Sequence, residues 1–190
     1  MFLLDTVVLS ELRKPPPQRN RNLVQWMGEV PSSDLFISVV TIGEIERGIE
    51  RQRGLNPSFA EKIASWLDLI LRAYEDRILP IDVAVARRWG RLSQRIGNKG
   101  LDLAVAATAL EHGLTVVTRN VSDFEPTSVS ILNPFDRASG TQRWLTAFGR
   151  HHGPGQAFGE PTAHDPFLVI GGEEIHFLRE HGHRLRIGAG

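Results

Sequence analysis

At 190 residues the chain can hold one domain with a full core and an appendage, but hardly two. Lys+Arg 22 and Asp+Glu 22 cancel, which excludes a surface-wide field for polyanions and makes any nucleic-acid site a local one. The absence of cysteine excludes disulfide frameworks, thiolate metal sites and cysteine nucleophiles; it suits a cytoplasmic protein and leaves carboxylates and histidines as metal ligands.

The opening MFLLDTVVLSEL is apolar but meets Asp5 after four positions, without a basic leader or a small-residue cleavage site. No stretch approaches the roughly 18 apolar residues of a membrane span, so a soluble protein with no membrane partner is expected. FLLD (2–5) is the first predicted strand. A Pro-rich loop follows with Arg13, Lys14, Arg19 and Arg21, placed close behind Asp5 where they could grip a polyanionic substrate. Leu23, Trp26 and Met27 then form an apolar helix face, for the core or for a homodimer contact.

FISVV (36–40) is the second predicted strand, with Glu44 shortly after it and Glu46 and Glu50 nearby. Phe59, Ile63, Trp66, Leu67, Ile70, Leu71 and Tyr74 repeat at helical spacing over 57–75. ILPI (78–81) is a third short strand. Val85, Trp89, Leu92 and Ile96 mark a helix over 82–97, with Asp82 placed as its N-cap. Arg88, Arg91 and Arg95 lie opposite that stripe and read as a solvated face or as phosphate contacts. LDLAVAATALEHG opens a further helix at Asp102, and LTVV (114–117) and VSIL (129–132) complete the strands. Such alternation predicts a largely parallel sheet covered on both faces by helices.

Composition changes near Asp136. Residues 137–190 carry six of the seven histidines and ten of the eighteen glycines, so the chain divides into a domain over 1–136 and an extension over 137–190. FLVI-GG-EEIHFL suggests a hairpin in that extension. His151 with His152, and His181 with His183, match no firm metal spacing.

Four acids fall at or just beyond strand ends, or at the start of the next helix: Asp5, Glu44, Asp102 and Asp123. In a parallel sheet all carboxyl ends share one edge, so Asp5, Glu44 and Asp123 can converge there, and Asp102 joins them if its helix starts at that edge. Clustered carboxylates repel, and a divalent cation removes the conflict. An all-oxygen site suits magnesium, or manganese, and points to phosphodiester hydrolysis. Each acid could instead be a helix cap or a solvated residue, with Asp5 the exception, since no capping pattern as strong as that of Asp82 follows it. An aspartate-based phosphatase using Asp5 as nucleophile, and a binding module without catalysis, are the competing functions.

LLDTVVLSELRKP, TIGEIERGIER, DLAVAATALEHGLTVVTRNVSDFE and ILNPF together resemble the PIN-domain ribonuclease toxins of the VapC family, especially their FitB-like branch. The resemblance spans residues 1 to about 136. It implies a PIN-like three-layer α/β/α sandwich with a mostly parallel central sheet of about five strands. It implies that Asp5, Glu44 and Asp102 are the core magnesium-binding acids, with Asp123 or Asn120 as the fourth site residue, and that Thr6 and Thr118 orient carboxylates or waters. The implied activity is endonucleolytic cleavage of structured RNA such as tRNA or an rRNA loop. The implied partners are a VapB-like antitoxin and a second copy of the chain, in a homodimer or a larger toxin-antitoxin assembly. Val7 departs from the polar residue common after Asp-Thr in that family, and the extension has no family counterpart.

Overall fold

The computed structural model describes residues 1–97 and 100–136; the expected hairpin and the histidines of the extension lie outside the described residues. Five strands, β1 (Phe2–Leu4), β2 (Leu35–Ser38), β3 (Ile78–Leu79), β4 (Thr115–Val117) and β5 (Ile131–Leu132), form one parallel sheet in the order β3-β2-β1-β4-β5. The connecting helices are α1 (Thr6–Leu12), α2 (Arg21–Glu29), α3 (Val39–Arg53), α4 (Pro57–Tyr74), α5 (Val83–Ile96), α6 (Asp102–His112) and the short α7 (Val121–Phe124). This is the α/β sandwich expected from the sequence, with β1 at its centre.

Side-chain alternation along the strands sorts the core into two layers. Phe2 and Leu4 of β1, Leu35 and Ile37 of β2, and Val117 of β4 face α1 to α4, where Leu23, Trp26, Ile49, Trp66 and Tyr74 complete one core. Leu3 and Val116 face the other way, against Ala104, Val105, Ala106 and Ala109 of α6 and Phe124 of α7. Helix α6 is buried continuously from Leu103 to Ala109, because α5 covers its outer side through Val85 and Leu92 against Ala107. Its alanines let the sheet and α5 approach closely from opposite sides, as a helix apolar all round requires. Gly113 ends α6 in the left-handed region (φ 65°), donating its N–H to the Ala109 carbonyl before the chain enters β4.

The structure corrects two local expectations and decides a third between its alternatives. Val39 and Val40, expected to finish the second strand, form the first turn of α3. Ser38 decides this: it is fully buried, and its Oγ accepts from the N–H groups of Val40 (3.1 Å) and Thr41 (3.3 Å). The third strand stops at Leu79, since Pro80 has no N–H for the ladder. Leu23, Trp26 and Met27 lie in the monomer core, with the Trp26 ring edge-on to Phe2 at 5.2 Å, so that face is not available to a second copy. Asp82 caps α5 as expected, accepting from the Val85 N–H at 2.8 Å.

Replacing Ser38 by Ala orphans two buried N–H groups at the start of α3 and is expected to cost about 1–2 kcal/mol. Urea denaturation measures this as a lower midpoint at unchanged slope. An unaltered midpoint would mean that the cap does not hold α3.

Candidate active site

Strand register places the first two site residues. Leu4 pairs with Val117 across β1 and β4, so Asp5 and Thr118 follow side by side just past the strand ends. The Asp5 N–H continues the ladder to the Val117 carbonyl at 3.1 Å, and that of Thr118 to the Leu132 carbonyl at 3.0 Å. Both side chains are buried, and the Thr118 hydroxyl donates to Asp5 Oδ2 at 2.7 Å. It also accepts from the Asn120 N–H at 3.0 Å, which fixes the direction in which its own proton points. Asp5 Oδ1 accepts from the Thr6 N–H at 2.7 Å, so the same carboxylate caps α1.

The remaining acids reach this edge from helices. Glu44 lies in the second turn of α3, and the Thr6 hydroxyl donates to its Oε2 at 2.5 Å. Asp102 is the first residue of α6, where the positive end of the helix dipole favours a carboxylate. Asp123 sits in α7, with its N–H on the Asn120 carbonyl at 3.2 Å. Asn120 is thus tied to the site through its backbone at both ends, to Thr118 and to Asp123.

Asp5 lies within electrostatic reach of Asp102 and Glu44, and Asp102 within reach of Asp123 and Glu44. Burial, the largest cause, pushes the Asp5 carboxyl up to about 6. The negative charges of Asp102 and Glu44 add to the rise, and the hydrogen bonds from Thr118 and Thr6 offset only part of it. Asp102 is likewise raised, first by desolvation and then by the charges of Asp123 and Glu44. Among the described residues none of the four acids forms an ion pair with Lys, Arg or His. No three of them stand close enough together to ligate one ion directly. A cation held by one or two carboxylates, with waters filling its other positions, fits this arrangement, and that is the habit of magnesium.

The basic loop behind Asp5 divides in the structure. Lys14 pairs with Glu11 at 2.7 Å, and buried Arg19 donates from Nε to the Lys14 carbonyl at 2.8 Å, so both brace the loop. Arg13 lies over the Phe59 ring at 5.2 Å, and Arg21 is exposed on α2. A cleft of about 300 Å³ opens beside Thr6 and Glu44, walled by Arg13, Arg51, Phe59 and Trp66. The sequence reading missed Glu11. It is buried, and although desolvation would raise its carboxyl, Lys14, the Asn20 N–H and Arg119 hold it below the ordinary range. Its spacing to Lys14, three residues on and just past the end of α1, was the available signal.

Residues 2–125 match the PIN domain, and the chain belongs to that family. Among its relatives, the toxin FitB of Neisseria gonorrhoeae is 33% identical over 141 residues, covering 71% of this chain and 99% of FitB. The crystal structure of FitAcB from the same organism superposes with a TM-score of 0.63 at 33% identity, over 71% of this chain and 99% of that one. The VapC ribonuclease Y4jK of Sinorhizobium fredii is 30% identical over 145 residues, 73% of this chain and all of the relative. A toxin-antitoxin complex from Klebsiella pneumoniae aligns at 25% identity with a TM-score of 0.53, covering 72% of this chain and 99% of its counterpart.

The Asp5 shift carries a pH signature in metal-free protein. Between 3.8 and about 6 the folded state holds a proton that the unfolded chain has released, so stability falls as pH rises through that window and stays lower above it. Asp5→Asn removes this dependence and is expected to stabilise the fold at pH 7.5 by up to about 3 kcal/mol. Denaturant midpoints of both proteins across that window, in chelator, provide the check. A variant less stable than the parent at pH 7.5 would show that Asp5 is held by a compensating charge.

Proposed function

We propose that this chain is a metal-dependent endoribonuclease serving as the toxin of a toxin-antitoxin pair, and that it hydrolyses phosphodiester bonds of structured RNA such as tRNA or an rRNA loop. The observation that carries the reading is Asp5: a buried carboxylate, without a cationic partner among the described residues, electrostatically coupled to Asp102 and Glu44 at the carboxyl edge of the sheet. The family match, together with relatives named as a toxin and a ribonuclease, supports it.

Asp5, Glu44 and Asp102 would hold the magnesium ion, one or two of them directly and the rest through its waters, with manganese as a substitute and with Asp123, or Asn120, beside them. Bound there, the ion would supply charge neutralisation at the phosphate and a lower pKa for the attacking water. The chain's own residues perform the positioning. Thr118 and the Thr6 N–H lock the Asp5 carboxylate, the Thr6 hydroxyl locks Glu44, and the Asn120 N–H locks Thr118. These bonds fix the donor oxygens before substrate arrives, so little reorganisation is left for the transition state.

The expected protein partner is a short VapB-like antitoxin, and a guanidinium from it would answer the unpaired acids. A homodimer, or a larger toxin-antitoxin assembly, would form through a face other than Leu23, Trp26 and Met27. Among the described residues no helix is long and apolar enough to cross a membrane.

The deciding experiment incubates the purified chain with defined structured RNAs in magnesium, with and without chelator, beside Asp5→Asn and Asp102→Asn. Cleavage by the parent alone, abolished by chelator, is expected; equal cleavage by all three proteins would trace to a contaminant and sink the reading. Thr118→Val keeps every acid and is expected to retain about 1–10% of the activity, the usual consequence of losing an orienting hydrogen bond at a metal site. Magnesium at a hundred times its dissociation constant is expected to stabilise the parent by about 2.7 kcal/mol and to leave Asp5→Asn unmoved.

A further inference from the structure

Helix α5 carries a charge pattern that the acid site does not explain. Its sequence, VAVARRWGRLSQRI, contains four arginines and no acid, in a chain whose formal net charge is zero. Arg88 is accounted for: its Nε donates to Glu111 of α6 at 2.6 Å, fastening the two helices together. It therefore leaves the stripe expected from the sequence, and Arg87 takes its place. Arg87, Arg91 and Arg95 are all exposed, and none has an ion-pair partner among the described residues. Four residues of helix rise about 6 Å, so the three guanidiniums stand in one row about 12 Å long.

A solvated helix face usually alternates charge sign and gains from Glu-Arg pairs one turn apart. This face instead gathers like charges, which repel at the same spacing. Between them lies a shallow depression of about 620 Å³ lined by Arg87, Gly90, Arg91, Gln94 and Arg95. Gly90 is the least suited residue, proline apart, to the interior of a helix. A Cβ at that position would meet nothing within 4 Å, so packing does not demand a glycine there. What the glycine provides is an open floor, along which another chain can approach the helix backbone between the arginines.

The direction of the row matters. α5 packs along α6, and the connection between them is short, so the two run antiparallel. Since α6 begins at Asp102, the end of α5 carrying Arg95 lies at the same edge of the molecule as the acids, and Arg87 lies farthest from it. A polyanion passing over the acid site would continue onto the row.

We propose that Arg87, Arg91 and Arg95, with Gly90 as floor, hold the phosphate backbone of the RNA substrate beyond the scissile bond. This rests on the ribonuclease reading above. The contacts are to phosphates, so they position the strand and set affinity without reading its bases. The row accounts for how a chain of zero net charge, with an acidic active site, retains a polyanion.

The test uses full-length protein in the Asp5→Asn background, titrated with a structured RNA and with a duplex DNA of equal length at several salt concentrations. Arg87→Gln/Arg91→Gln/Arg95→Gln is compared with Arg47→Gln/Lys62→Gln/Arg72→Gln, which removes the same charge from exposed positions elsewhere. At about 0.7 counterions released per phosphate contact, the first triple variant is expected to flatten the slope of log K against log salt by about 2. Its RNA affinity at 0.1 M salt should fall by about a hundredfold, while the control triple changes it less than about threefold. With the acids restored, the α5 triple should raise KM and leave kcat within about twofold. If the parent cuts RNA but the α5 triple binds it with unchanged slope and affinity, the row is not the substrate track, and the ribonuclease reading stands. Loss of binding confined to duplex DNA also overturns the row as an RNA track. If the parent neither cuts nor binds any RNA, both readings fall together.

Discussion

The molecule is organised around a carboxylate that its own surroundings disfavour. Asp5 is almost fully buried at the end of the central strand, where desolvation and the charges of Asp102 and Glu44 all oppose its ionised form. Two hydrogen bonds, from Thr118 and from the Thr6 N–H, offset part of that cost. The remainder is carried by the rest of the fold. Two apolar layers, one on each face of the sheet, hold strands and helices in a register that keeps like charges together. A site assembled in this way is destabilising by itself, and the core supplies the stability that lets it persist.

Each acid arrives by a different local device, and all the devices converge on one sheet edge. The parallel pairing of β1 with β4 sets Asp5 beside Thr118. The buried Ser38 cap turns the chain into α3 immediately after β2 and so brings Glu44 to the Thr6 hydroxyl. The alanine-rich α6 is thin enough to lie between the sheet and α5, with Asp102 at its first position. The hydrogen bond from the Asn120 N–H to Thr118 closes the turn after β4 that leads into α7 and Asp123. Changes to Ser38 or to the alanines of α6 therefore reach the acids without touching them.

Overall neutrality conceals a segregated surface. The acids gather where the strands end, while several cations of the first seventy residues are engaged in fastening the fold: Lys14 on Glu11, Arg19 on a backbone carbonyl, and Arg53 on Glu50 and Glu61. The exposed arginines of α5 belong to neither group. Charges of opposite sign on neighbouring surfaces can hold a polyanion and a cation at the same time, which net charge alone could not reveal.

The sequence by itself determined the alternation of strands and helices, the cap at Asp82 and the placing of Asp5, Glu44 and Asp123 past strand ends, while Asp102 depended on where its helix begins. These depend on local periodicity and on the rule that parallel strands end at one edge, so they need no tertiary information. Tertiary structure alone decided what depends on register and on neighbours far apart in the chain. Val39 and Val40 read as strand by residue type and became helix because a buried Ser38 caps the turn. Leu23, Trp26 and Met27 could have faced a partner or the core, and packing against Phe2 settled them inside. Arg88 and Arg87 are adjacent and chemically identical, yet one fastens two helices and the other has no ion-pair partner among the described residues, because only one of them faces Glu111. Periodicity states which residues share a face; what that face meets is fixed only when the other elements have packed.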